Sequence, residues 1–162
     1  MREELDKQLC EKFPDIFKNR NAPMNQTCMC WGFSCGDGWY PIIEAMCSNI
    51  QWHIDWRLEQ IDYAHRFNAE LEEARVNDFE NWPDWKMRET QKVPEPVTPV
   101  VAIQVKEKFG TLRFYYSGGD DFVRGVVRMA ESMSARMCEV CSAPATSDPN
   151  NGWARTVCSE HY

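Results

Sequence analysis

The chain has 162 residues, 43% hydrophobic and 12% aromatic, which is enough apolar material for a globular domain with a buried core. Its 18 Lys and Arg residues stand against 25 Asp and Glu residues, and the net charge of −7 argues against generic binding to nucleic-acid backbones. No apolar run approaches the roughly 18 residues of a membrane span, and the charged first residues do not resemble a signal peptide. We therefore expect a cytoplasmic protein that does not enter a membrane, in which the eight cysteines favour thiols or metal ligands over disulfides.

Two helices are predicted in the first half of the chain. Residues 3–18 carry apolar side chains at steps of three and four, although Pro14 disfavours a helix at the far end. After a loop at residues 19–38, a long helix is predicted from about Tyr40 to Val76. One of its two apolar stripes is aromatic: Trp52, Trp56, Tyr63 and Phe67. Burial in the core is the commoner fate of such a stripe, and the alternative is a surface that meets a partner.

The loop before the long helix is rich in cysteine. Cys28, Cys30 and Cys35 lie close together in the loop, and Cys47 follows on the helix. These four residues are candidates for a second metal site or thiol cluster, but they contain no C-x2-C pair. We narrowly favour small thiols buried beneath aromatic side chains, and a redox role is a third alternative.

A β-hairpin is predicted at about residues 100–116, with the turn at residues 107–110. Its outward face carries the main basic and aromatic cluster of this acidic chain: Lys106, Lys108, Arg113 and Tyr115. Such a face can bind an anion or stack nucleotide bases. Two strands are too few for an independent sheet, so we expect the inward face to pack on helices.

A third helix is predicted after the hairpin, with Asp120 or Asp121 as its N-cap. Its apolar stripe is Phe122, Val126, Met129, Met133 and Met137, and we expect this stripe to face the core. A Met-rich stripe is also typical of adaptable binding surfaces, which is the alternative.

The last 25 residues contain the pattern C-x2-C…C-x2-H, formed by Cys138, Cys141, Cys158 and His161. Three thiolates and an imidazole in two close pairs are typical of a closed, tetrahedral structural zinc site. A segment this small has too little apolar mass to fold alone, so metal binding would supply the missing free energy. We expect one structural zinc ion here, and a second only if the cysteine-rich loop also binds metal.

These elements together predict an α+β fold in which helices pack on a β-hairpin and a zinc-ribbon-like element ends the chain. The expected organisation is a body at residues 1–137 and a zinc-binding tail at residues 138–162 that packs on it.

Four stretches of the sequence resemble a family of small tailed-phage and prophage proteins. They are KEKFGTLRFYY at residues 106–116, CGDGW at residues 35–39, MAES at residues 129–132, and the pair Cys138 and Cys141. The resemblance spans roughly residues 28–161 and implies a phage-encoded accessory protein that acts inside a bacterium. It carries over no catalytic residue. Phage accessory proteins often bind host machinery, including defence systems, so the resemblance implies a host or phage protein as partner.

Three functions remain to be weighed. The first is a non-enzymatic protein that binds a host or phage protein, supported by the acidic balance and by the Trp52 and Trp56 stripe. The second is nucleic-acid or nucleotide binding through the hairpin face and the zinc tail. The third is an enzyme, which is disfavoured because four protein ligands leave no open position on zinc. We expect the first function, either as a monomer or as an oligomer.

Overall fold

The computed structural model describes residues 1–77, 87–148 and 154–162. Within these ranges the α-helices are α1 (Glu3–Lys12), α2 (Tyr40–Val76) and α3 (Asp121–Ser134). The strands are β1 (Phe33–Ser34), β2 (Val101–Lys108), β3 (Thr111–Ser117), β4 (Thr146–Asp148) and β5 (Arg155–Val157). The helices and the small mixed sheet confirm the predicted α+β fold.

The long helix α2 has the predicted bounds, whereas α1 is shorter than predicted. The chain leaves the helix at Phe13, whose backbone adopts φ −128° and ψ 62°. This residue precedes Pro14, and a proline ring disfavours helical dihedrals in the residue before it. Phe13, Ile16 and Phe17 are nevertheless buried, so the predicted apolar face continues beyond the helix through a run of turns.

The predicted hairpin is confirmed, and the structure adds a third strand to it. The sheet order is β1-β2-β3, with β1 parallel to β2 and β2 antiparallel to β3. Phe109 and Gly110 form the turn with φ values of 55° and 74°, the left-handed region that two-residue hairpin turns use. The register shifts between Ala102 and Gln104, and this bulge leaves Ile103 exposed although strict alternation would place it inward.

Helix α3 covers the outer edge of β3. The backbone N–H of Leu112 donates to Ser134 Oγ at 2.8 Å, and that of Phe114 donates to Glu131 Oε1 at 3.0 Å. Two side chains of the helix therefore replace the strand that would otherwise pair with this edge. Asp120 caps the helix as predicted, because its carboxylate accepts the N–H of Val123.

The prediction that the methionine stripe of α3 faces the core is wrong. Met129 is 59% exposed and Met133 is 48% exposed. The buried face is a different one, formed by Val123, Val127, Ala130 and Ser134. It faces inward because only this rotation of the helix brings Glu131 and Ser134 against the edge of β3. The exposed methionines instead line an apolar depression of about 240 Å³, together with Pro41, Ile42, Ala45 and Met46 from the start of α2.

The described chain divides into two units, one formed by Met1–Gln51 with Thr98–Tyr162 and the other by Trp52–Val97. The first unit contains α1, the sheet, α3 and the C-terminal cysteines, around a core that includes Leu9, Phe17, Trp39, Ile43 and Leu112.

In the second unit, a chain segment returns along α2. Asn68 on the helix donates to the carbonyl of Gln91 at 2.8 Å and accepts its N–H at 2.7 Å. The sequence Trp82-Pro83-Asp84-Trp85, which we predict to dock on another part of the protein, lies outside the described residues. In the part of the chain that the structure describes, no helix combines the length and apolarity needed to cross a bilayer.

Candidate metal centre

The four predicted ligands come together in one cluster. One ligand atom each from Cys138, Cys141, Cys158 and His161 lie within 4.8 Å of one another, so the cluster can hold one metal ion. Cys141 Sγ is 3.6 Å from Cys158 Sγ, and His161 Nδ1 is 3.1 Å from Cys158 Sγ and 3.7 Å from Cys138 Sγ. For Zn–S bonds of about 2.3 Å, tetrahedral coordination requires sulfur atoms about 3.8 Å apart and S–N separations of about 3.5 Å. The donor set and its spacing therefore fit a tetrahedral ion.

Local backbone geometry shapes the first ligand pair. Residues 138–142, called the CxxC turn below, follow the end of α3, and the N–H of Ser142 donates to the carbonyl of Cys138 at 3.0 Å. The N–H of Cys138 donates to the carbonyl of Ala143 at 2.7 Å, which folds the chain back on itself. Both sulfurs of the pair are thereby directed to one point, as a metal site requires.

The second pair is brought back by the antiparallel strands β4 and β5, in which Thr146 pairs with Val157. The N–H of Glu139 in the CxxC turn donates to the carbonyl of Thr156 at 2.9 Å, which fastens the strand pair to the turn. Cys138, Val157 and Cys158 are buried there against Ala143 and Ala145. The stretch between the two ligand pairs is rich in proline, asparagine and glycine, which favour a turn that brings the second pair back to the first. Residues 149–153 of this stretch lie outside the described residues.

The electrostatics of the cluster favour a thiolate at its centre. Burial alone would raise the pKa of the Cys138 thiol, but the backbone N–H groups of Cys158, Cys141 and Val140 outweigh burial and lower the pKa to about 6. For the Cys141 thiol, the N–H of Ala143 lowers the pKa, whereas burial and the neighbouring sulfurs of Cys158 and Cys138 raise it. The net effect is a raised pKa. Crowded sulfurs that resist joint ionisation are stabilised as thiolates by a bound cation.

A glycine-containing segment far away in sequence holds the CxxC turn. Residues 35–39, called the glycine loop below, make four hydrogen bonds to residues 137–142. The N–H of Gly36 donates to Glu139 Oε1 at 2.8 Å, and the N–H of Gly38 donates to the carbonyl of Glu139 at 2.7 Å. Trp39 Nε1 donates to the carbonyl of Met137 at 2.9 Å, and Ser142 Oγ donates to the carbonyl of Gly38 at 2.7 Å.

Both glycines are required by close approach. A Cβ atom at Gly38 would collide with the carbonyl oxygen of Cys138 and the backbone nitrogens of Cys141 and Ser142. A Cβ atom at Gly36 would collide with the backbone of Glu139. From the sequence, CGDGW indicated only a family resemblance, and this contact was not predicted. The signal was the spacing of two glycines before a helix, which marks a place where two backbones meet.

The structure does not bring Cys28, Cys30, Cys35 and Cys47 into a shared ligand set. Over residues 1–77, 87–148 and 154–162, the C-terminal cluster is the one group with metal-ligand geometry. Cys35 and Cys47 are buried, and burial raises the pKa of Cys35 to about 12 and that of Cys47 further. The half-buried Cys30 directs its thiol to the carbonyl of Thr27 at 3.0 Å. Two of the four are therefore deeply buried thiols that stay protonated at neutral pH.

Of the two predicted surfaces, the aromatic stripe is exposed and the hairpin face is partly exposed. Trp52 and Trp56 are 58% and 41% exposed and stack with ring centroids 6.2 Å apart, so the prediction that this stripe is buried in the core is wrong. On the outward face of the hairpin, Lys106 pairs with Arg113 across the strands, and its Nζ lies 5.7 Å from the centroid of the Tyr115 ring. Lys108 lies at the exposed end of the same face.

No protein-family model, no curated protein and no solved structure matches the chain. The fold and site define an α+β protein with a C-terminal Cys3His cluster suited to one metal ion.

Proposed function

We propose that this protein is a zinc-stabilised, non-enzymatic binding protein that attaches to another protein through the exposed indoles of Trp52 and Trp56. The observation that carries the proposal is the exposure of two stacked tryptophans on one helix face, 58% and 41% exposed. Tryptophan is among the side chains that most often dominate the energy of protein interfaces, because a large ring is buried at a small cost in conformational entropy.

Zinc is the metal we assign to the Cys3His cluster. Thiolate and imidazole ligands in a tetrahedral arrangement suit Zn²⁺, whereas magnesium and calcium require oxygen ligands. Four protein ligands leave no open coordination position, which supports a structural role. The CxxC turn that zinc would close is also the surface on which the glycine loop docks, so the ion would stabilise contacts across much of the first unit.

The aromatic face has the chemistry of a protein-binding surface. Arg57 lies with its guanidinium carbon 5.9 Å from the Trp56 ring centroid, so a cation borders the two indoles. Tyr63, two turns further along α2, is 49% exposed and stacks with Phe67 at 6.3 Å. Aromatic side chains with an arginine at the margin are the composition that interfaces enrich. The resemblance to phage proteins supports a host or phage protein as the partner, with a host defence protein as one such target.

The test compares three forms of the protein as baits in a bacterial lysate: wild type, the double variant Trp52→Ala/Trp56→Ala, and Leu58→Ala. Leu58 is 53% exposed on the same helix but points to a different side, so its variant controls for loss of an exposed apolar side chain. We expect a protein that the wild type and the Leu58 variant capture and the double variant does not.

The captured protein is then purified, and its affinity is measured by calorimetry. Each tryptophan at the centre of such an interface contributes about 2 kcal/mol, so each substitution should weaken binding by about 30-fold. Equal capture or equal affinity for all three baits would disprove the role of this face. Zinc content by elemental analysis tests the metal separately, with one zinc per chain expected.

A further inference from the structure

A polar depression of about 520 Å³ lies between β3 and α3, outside both the metal centre and the aromatic face. Arg113 and Thr111 line it from the strand, Arg128 and Ser132 line it from the helix, and Arg136 lines it from the segment that follows the helix. Arg113 was expected as part of the basic hairpin face. The two further guanidinium groups, from Arg128 on α3 and Arg136 just after it, were not expected on the same surface.

The charge of this depression is opposite to that of the whole chain. Three arginines face a single carboxylate, Glu131, whose Oε1 accepts the N–H of Phe114 at the strand edge. Arg124, on the same helix but outside the depression, forms an ion pair with Asp121 at 2.8 Å. No ion pair joins the guanidinium of Arg128 or Arg136 to another residue in the part of the chain that the structure describes. Their charges are therefore available to a ligand.

An aromatic ring lies beside this basic wall. Tyr115 follows Arg113 by two positions on the same face of β3 and is 41% exposed. Residues two apart on a strand are separated by about 7 Å. Lys106, which pairs with Arg113 across the sheet, places its Nζ 5.7 Å from the centroid of the Tyr115 ring. The face thus offers cations for a phosphate and a ring for a base.

We propose that this depression, called the arginine pocket below, binds the phosphate group of a nucleotide or of single-stranded nucleic acid. Arg113, Arg128 and Arg136 bind the phosphate oxygens, and Tyr115 stacks on the base. Guanidinium groups suit this ligand because their planar array of N–H donors matches the oxygens of a phosphate. Stacking on an aromatic ring is tolerant of base identity, so we expect little sequence preference. This activity is additional to the protein binding proposed above and does not depend on it.

The net charge of −7 limits this binding to the arginine pocket. A protein that neutralises about three phosphates of a single strand should show a slope of about −2 in a plot of log K against log salt concentration. We therefore expect weak but saturable binding at low salt.

The test measures binding of a fluorescein-labelled 12-mer of thymidylate, with ATP and inorganic phosphate as competitors. The proteins are wild type, Arg128→Gln/Arg136→Gln, and the matched control Arg124→Gln, and circular dichroism checks that each is folded. We expect the double variant to lose at least tenfold in affinity for the 12-mer and to show a shallower salt slope. The control should stay within twofold of the wild type. Saturable binding with these ratios supports the proposal.

Several results would overturn it. Absence of saturable binding of both the 12-mer and a fluorescent ATP analogue at low salt, or equal loss of affinity in the double variant and the control, would show that the arginine pocket is not an anion site. Competition by inorganic phosphate as strong as that by ATP would remove the nucleotide assignment. Tyr115→Leu should lower the affinity for the 12-mer at least fivefold and leave competition by inorganic phosphate unchanged. An unchanged affinity for the 12-mer in this variant would show that Tyr115 does not stack on a base. A fluorescent ATP analogue, titrated directly, distinguishes the two sources of the phosphate. Binding of this analogue without binding of the 12-mer assigns free nucleotides, and binding of the 12-mer alone assigns nucleic acid.

Discussion

The contact between the glycine loop and the CxxC turn is tested by Gly38→Ala. A Cβ atom at this position would collide with the carbonyl oxygen of Cys138 and would lie 2.7 Å from the backbone nitrogens of Cys141 and Ser142. All of these are backbone atoms, so none can rotate away, and the loop must move off the turn.

Moving the loop breaks or stretches three hydrogen bonds. They are Gly38 N–H to the carbonyl of Glu139 at 2.7 Å, Ser142 Oγ to the carbonyl of Gly38 at 2.7 Å, and Trp39 Nε1 to the carbonyl of Met137 at 2.9 Å. At about 1 kcal/mol each, the variant should lose about 3 kcal/mol of the free energy of unfolding.

Gly125→Ala is the matched control. Gly125 is exposed within α3, and a Cβ atom there meets nothing within 4 Å. Alanine stabilises such a helix position by about 0.5–1 kcal/mol relative to glycine. Substitution by alanine should therefore lower the free energy of unfolding at Gly38 and raise it at Gly125.

The assay is urea denaturation of the zinc-loaded protein, followed by tryptophan fluorescence and far-ultraviolet circular dichroism. The rate of zinc transfer to a chromogenic chelator is measured in parallel and should rise for Gly38→Ala, because the CxxC turn loses its support. A Gly38 variant as stable as the wild type, with unchanged zinc transfer, would refute the docking argument.

Two further substitutions, one of them with a matched control, test the metal centre and the packing of α1. Cys138→Ser removes one of four metal ligands, so we expect loss of the bound zinc and a lower melting temperature, measured by elemental analysis and calorimetry. An unchanged zinc content would exclude this cluster as the metal site. Asp6→Asn removes a mostly buried carboxylate that Arg20 contacts at 2.9 Å, and should cost about 2–3 kcal/mol in urea denaturation. The control Asp121→Asn removes an exposed ion pair and should change the free energy of unfolding by less than about 0.5 kcal/mol. Equal losses in the Asp6 and Asp121 variants would show that burial of the ion pair does not determine its contribution to stability.

The parts of the fold that local information determines were predicted from the sequence. Helix α2 has the predicted bounds because 37 consecutive residues maintain a helical pattern and Pro41 suits a first turn. The four cysteine and histidine ligands were found because two residues between ligands is a short-range geometric requirement that a sequence displays directly. The cap of α3 was narrowed to Asp120 or Asp121 for the same reason, and the structure shows that it is Asp120.

The orientation of α3 could not be predicted, because two of its faces repeat at helical spacing. Val123, Val127, Ala130 and Ser134 form one face, and the methionines Met129 and Met133 belong to the other. The choice depends on the unpaired N–H groups of Leu112 and Phe114, which require Ser134 and Glu131 as acceptors. Each of those donors, if left buried and unpaired, would cost about 1–3 kcal/mol. Only the tertiary structure reveals that requirement.

The strand β1 and the arginine pocket were missed for a related reason. Phe33 and Ser34 are too few residues to show a strand pattern, and their partners, Val105 and Lys106, lie far away in the sequence. The wall of the arginine pocket likewise combines Arg113 on β3 with Arg128 on α3 and Arg136 in the segment after α3. The hairpin alone displays Arg113 but not the two arginines that the other segment adds, so the full charge reversal appears only after these elements pack together.

The metal centre is part of the body of the protein rather than an independent tail. Thr156 in β5 is fully buried and donates its hydroxyl to the carbonyl of Gly110 in the hairpin turn, and the CxxC turn accepts the glycine loop. Arg136 stands two residues before Cys138, between α3 and the CxxC turn, and its carbonyl accepts the N–H of Ala145. An ion bound to the four ligands would therefore stabilise the backbone that carries one wall of the arginine pocket. If both proposals hold, zinc supports phosphate binding by fixing the position of that wall, without contacting the phosphate.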